Sequence, residues 1–165
     1  MTEVSHKRIQ KKIIPPFLAL EKAKAFCAYQ ERCHFDLRNR LREWELEEEV
    51  CENIMAQLIS EGFINEERFA RSFVRGKFRI KKWGRQKIRA ELKKRNISDY
   101  CIRKGLEEIN DADYIDTLKD SVLKLTPLKN LAKREVFYKT VQALMRKGFE
   151  QDIILQTLSE IQKSL

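Results

Sequence analysis

RQKIRAELKKRNISDYCIRKGLEEI (85–109) decides how this chain folds. Leu92, Ile97, Cys101, Ile102, Leu106 and Ile109 set an apolar pattern with helical spacing on both sides of Asn96-Ile97. Stepping back 51 residues gives Leu41, Leu46, Val50, Cys51, Met55 and Leu58. Stepping forward 52 gives Leu144, Phe149, Ile153, Ile154, Leu158 and Ile161. Every position stays apolar in all three copies. A repeat of this length, built from segments too short to be stable alone, predicts an all-α tandem array of three three-helix repeats, elongated and curved.

Punctuation along the chain places the units. Pro15 and Pro16 open a helix that carries Leu20, Ala23, Phe26, Cys27 and Gln30, and residues 1–14 before them read as a disordered basic arm. A second helix spans 34–43. A third starts near Glu47 and stops at Gly62, which suits a left-handed terminus. The first repeat is thus 15–62. The second, 63–110, starts with Asn65 as N-cap. Phe69, Phe73 and Val74 form an inner face, Trp83-Gly84 breaks the pattern, Asn96 ends the helix 85–95, and Ser98 caps the next. The third, 111–165, holds a helix ending before Pro127, another from about Asn130 to Lys147, and a last one after Gly148. Only 5 glycines and 3 prolines interrupt 165 residues, which disfavours strands and long loops.

Charge separates the three units where the core does not. Net charge is +4 over residues 1–30, −7 over 31–67, +13 over 68–104 and −1 over 105–165. The candidate binding residues are therefore Arg71, Arg75, Lys77, Arg79, Lys81, Lys82, Arg85, Lys87, Arg89, Lys93 and Lys94, with Trp83 among them. Only Glu91 and Asp99 are acidic within that stretch, so its cations cannot all be paired locally. Such a surface suits DNA phosphates or an acidic protein face, and phosphate contacts position a protein without reading sequence. Trp83 either stacks on a base or packs over the ends of its own helices. The acidic run Glu45, Glu47, Glu48 and Glu49 reads first as support for a helix N-terminus.

The catalytic readings are poor. Cys33-His34 is adjacent in sequence, which does not hold a base against a thiol. Two histidines and cysteines at 27, 33, 51 and 101 give no metal-ligand spacing, so no metal and no cofactor is expected. No glycine-rich phosphate loop and no long apolar segment is present in the sequence. These features predict a non-enzymatic, monomeric protein of the cytoplasm without a membrane partner.

Four strings carry a family resemblance: ERCHFDLRNRL (31–41), EGFINEERFARSFVR (61–75), GRQKIRAELKKRNI (84–97) and LMRKGFEQDII (144–154). In that order they resemble the RecX family of recombinase modulators over residues 17–162. Cys33, Asn65 and Asn96 stand where the family often has serine, an acid and glycine. The resemblance implies a regulatory protein of recombination and DNA repair. It would bind the RecA nucleoprotein filament, lie in its groove, and hinder its growth, ATP hydrolysis and strand exchange. It would also contact single- and double-stranded DNA through the backbone. The alternative from another class is a stand-alone nucleic-acid-binding helical module with 85–95 as its recognition helix.

Overall fold

The structure, a computed structural model, describes residues 14–164. The expected arm lies outside the described residues except for Ile14, which packs against the first core. Among the described residues the regular structure is helical throughout: α1 (Pro16–Tyr29), α2 (His34–Glu43), α3 (Glu48–Ser60), α4 (Glu66–Arg79), α5 (Arg85–Lys94), α6 (Asp99–Leu106), α7 (Asp111–Leu125), a 3-10 turn (Leu128–Asn130), α8 (Arg134–Arg146) and α9 (Gln151–Lys163). They form two compact units, one ending at Ile64 and one starting at Asn65.

The apolar template becomes the core. All eighteen repeat positions are withdrawn from solvent: Leu46, Val50, Leu106, Ile153 and Ile161 partly, the rest fully. Each full burial of a leucine or isoleucine contributes about 1.5–3 kcal/mol. The repeat extends to the backbone as well. Glu45, Asn96 and Gly148 hold equivalent places after α2, α5 and α8, and all three adopt positive φ, at 55°, 56° and 94°. At two of them the closing hydrogen bonds match: Ile97 N–H donates to the Leu92 carbonyl and Phe149 N–H to that of Leu144, both at 3.2 Å.

In the first unit, Ala19, Ala23 and Cys27 of α1 meet Leu37 and Leu41 of α2 and Cys51, Ile54, Met55 and Leu58 of α3. Gln30 lies beyond the end of α1 and is exposed, because α1 closes at Tyr29. The acidic run serves α3: Glu47 is its N-cap residue, and Arg38 of α2 reaches Glu48 at 3.0 Å and Glu52 at 2.7 Å. Cys33 is the N-cap residue of α2 and is fully buried, and burial pushes its thiol up to about 11. A thiol held protonated in this way is a packing group, not a nucleophile.

In the second unit, Asn65 accepts the Arg68 N–H at 2.8 Å, and Ser98 accepts that of Cys101 at 3.3 Å, so both expected caps form. The helices α4 and α6 come unusually close. A Cβ on Gly105 would lie 3.0 Å from the Ala70 carbonyl, a spacing only glycine allows comfortably. One expected boundary shifts. The helix read from Asn130 begins at Arg134, because the 3-10 turn after Pro127 first tucks Leu131 into the core.

Candidate functional site

The basic stretch spans α4, the turn 80–84 and α5, and the fold divides its cations into two sets. Arg71 and Arg75 on α4 point to α6: Arg71 reaches Glu108 at 2.9 Å and Glu67 at 2.9 Å, and Arg75 reaches Glu108 at 3.0 Å. Hydrogen bonds from Arg71, then Arg75, hold the Glu108 carboxyl below the usual carboxylate range. Arg85 lies 2.7 Å from Asp111, and its guanidinium stacks 4.1 Å from the Tyr114 ring centroid. Lys94 pairs with Glu91 at 2.8 Å, and Lys93 lies 3.6 Å from Asp99.

The other set gathers around the α4–α5 turn. Lys77, Arg79, Lys81, Lys82, Lys87 and Arg89 have no carboxylate within ion-pair distance among the described residues. Arg79, Lys81 and Arg89 are exposed, and the others partly so. Ile80, between two cations, is 77% exposed. Lys93 and Lys94 sit at the far end of α5, roughly 12 Å along its axis from Arg85. Of the eleven cations, five are engaged with acids, and six, between Lys77 and Arg89, have no such partner among the described residues.

Trp83 stands inside the turn. Its N–H donates to the Lys77 carbonyl at 3.2 Å, closing α4 through Lys82, whose φ is 55°. Its half-buried ring receives the ammonium of Lys77 at 5.0 Å and that of Lys87 at 4.4 Å from the centroid. The tryptophan thus packs over the ends of its own helices.

What fixes the turn was not visible in the sequence. Gly84 N–H donates to the Lys147 carbonyl at 2.8 Å and Gln86 N–H to that of Gly148 at 3.0 Å, so the α8–α9 turn clasps the start of α5. Tyr114 joins from α7. Its hydroxyl accepts the Arg85 N–H at 3.0 Å and donates to Glu150, while its ring lies between Phe78 at 6.0 Å and Phe149 at 5.2 Å. Burial, then the bond to Glu150, pushes the Tyr114 phenol well above its ordinary value. Tyr114 lies outside the basic stretch and is not among the candidate binding residues.

Among the described residues no three of His, Cys, Asp and Glu cluster to hold a metal, and no helix is long and apolar enough to cross a membrane. The cavity between α1 and α3, about 400 Å³, is lined by Phe17, Leu20, Val50 and Ile54, with Glu49, Asn53 and Gln57 at its polar side.

The described residues thus form an all-α array with an open basic turn between α4 and α5. Proteins of similar sequence and fold are known. The family model described as RecX, second three-helix domain, matches residues 65–106, which include the whole turn. Proteins named regulatory protein RecX are similar along most of the chain. That of Lactobacillus gasseri is 26% identical over 92% of this chain and 57% of its own length. That of Prosthecochloris aestuarii is 26% identical over 87% of this chain and 93% of its own. The crystal structure of RecX from Lactobacillus salivarius superimposes with a TM-score of 0.75 at 25% identity, covering 88% of this chain and 96% of that one. The chain is thus similar to RecX proteins in sequence along most of its length and in fold. It spans about half the length of several curated relatives it matches.

Proposed function

We propose that this chain regulates a RecA-type recombinase by occupancy of its nucleoprotein filament. Three repeats, 15–62, 63–110 and 111–165, supply the footprint. The middle one faces DNA phosphates and acidic recombinase surface. Binding along the groove blocks homologous duplex or caps the growing end, and lowers ATP hydrolysis and strand exchange. Single- and double-stranded DNA are both contacted through the backbone, without sequence preference. The protein acts as a cytoplasmic monomer, with no cofactor and no covalent step.

The observation that carries this reading is the set of six cations at the α4–α5 turn, free of carboxylate partners among the described residues, on the segment that matches the family model. Cations without carboxylate partners suit an external polyanion. The recombinase filament offers both nucleic-acid phosphate and protein surface to a long helical scaffold.

The test is the DNA-dependent ATPase of the cognate RecA-type recombinase, titrated with this protein. Inhibition far below one chain per recombinase subunit indicates capping, and inhibition near saturation indicates groove coating. An ATPase unchanged at saturating protein contradicts the proposal.

A further inference from the structure

Trp83 invites a stacking role, since an aromatic ring among cations is the usual platform for a nucleobase. The geometry points elsewhere. Lys77 and Lys87 lie 5.0 and 4.4 Å from one ring centroid, so at most the sum of those distances separates their charges. Two ammonium groups this near repel each other. Neither has a carboxylate within 4.0 Å among the described residues.

Each element of the arrangement is held separately. Lys77 sits in the last turn of α4, and its own carbonyl accepts the Trp83 N–H. Lys87 sits in the first turn of α5, with its stem against the backbone of Gly148: a Cβ there would fall 2.3 Å from the Lys87 Cβ. The ring stands in the turn between them. An indole attracts cations to its face, and this ring brings the ammonium of Lys77, which also lies 5.2 Å from the Phe73 centroid, together with that of Lys87.

We infer that Trp83 is a positioning residue, whose ring aims Lys77 and Lys87 as a two-pronged clamp for backbone phosphate. The inference rests on the proposed reading that this turn faces nucleic acid. The ligand is the phosphodiester, and the base is left unread. That gives the turn a physical reason to treat all sequences alike. Pre-aiming two flexible side chains also lowers the entropy lost on binding.

The experiment compares binding of the full chain to an oligothymidylate and to an abasic deoxyribose-phosphate oligomer of equal length, by fluorescence anisotropy. The variants are Trp83→Leu, Trp83→Phe and the pair Lys77→Met with Lys87→Met, each checked by circular dichroism. Trp83→Leu is expected to weaken binding about five- to tenfold, and equally on both oligomers, because the lost contacts are to phosphate. Trp83→Phe keeps a ring face and should stay within about threefold of wild type. In the double-methionine background, Trp83→Leu should cost nothing more. A loss confined to oligothymidylate would establish base stacking and overturn the inference while leaving the nucleic-acid reading intact. Equal affinity of wild type and Trp83→Leu for both oligomers would overturn it too. A wild-type chain that held neither oligomer would overturn the nucleic-acid reading, and the clamp with it. If Trp83→Leu does not fold, Trp83→Phe and the lysine pair decide on the same two oligomers.

Discussion

Gly84 and Gly148 meet backbone to backbone, 64 residues apart in sequence. A Cβ on Gly84 would lie 2.2 Å from the carbonyl carbon and oxygen of Gly148. This contact sets where the basic turn begins, because Gly84 is the N-cap residue of α5. Gly84→Ala must push the two turns apart, and is expected to cost about 2–4 kcal/mol. Gly62 provides the control. It also has positive φ, at 77°, but nothing lies within 4 Å of its Cβ position. Gly62→Ala should cost only about 1–2 kcal/mol of left-handed strain. Urea denaturation of the two variants gives the comparison.

Tyr114→Phe removes the acceptor of the Arg85 N–H and the donor to Glu150, while keeping the ring between Phe78 and Phe149. Losing a buried partner in this way should cost about 1–3 kcal/mol. The pH profile carries a second signature. The folded-state phenol titrates above its ordinary value, so the unfolded chain loses that proton first. The stability from protonated Tyr114 is complete below pH about 10 and lost as pH rises through the folded value. Thermal melts above pH 10 should fall less steeply for Tyr114→Phe than for wild type.

Cys27 and Cys33 carry the same sign in the first unit. Burial raises both thiols from an ordinary value of 9.0 to about 11. Their contribution is present below pH 9 and lost as pH rises toward 11. Each accounts for roughly 2–3 kcal/mol across that window. Replacing Cys33 with serine in a neutral-pH assay should leave regulation unchanged, and titration with a thiol reagent should label Cys33 only as the chain unfolds.

The two sets of cations should fail differently. Arg71→Met and Arg75→Met unpair Glu108 and should lower the melting temperature, with DNA affinity nearly unchanged. Arg79, Lys81 and Arg89 are exposed, so their reversal to glutamate should leave melting alone while DNA binding falls. Wild-type affinity for single strands should drop with a log–log salt slope on the order of −4 if the six free cations each meet a phosphate. A slope near zero would contradict the phosphate surface.

The core was legible in the sequence because burial follows apolar period. Leu92, Ile97 and Ile102 announce themselves, as do Asn65 and Ser98 as caps. Asn96 was legible as a left-handed helix end, since asparagine tolerates positive φ, but Glu45 was harder, because only its register with Asn96 and Gly148 gives it away. The site was legible as charge and not as geometry. Glu107, Glu108 and Asp111 fall just outside the basic stretch and return to neutralise Arg71, Arg75 and Arg85 through helix packing. No local pattern records a partner 26 to 37 residues away. The 3-10 turn before α8 was missed because Lys129, Asn130 and Leu131 continue a helical period that the Pro127 carbonyl interrupts by accepting from Asn130.

The most direct test combines both findings. Reverse Arg79, Lys81, Lys82 and Arg89 to glutamate, confirm unchanged helicity, and titrate the variant into the DNA-dependent ATPase of the cognate recombinase beside wild type. The account predicts inhibition by wild type and none by the variant at matched concentrations. Inhibition by the variant equal to that of wild type would contradict it.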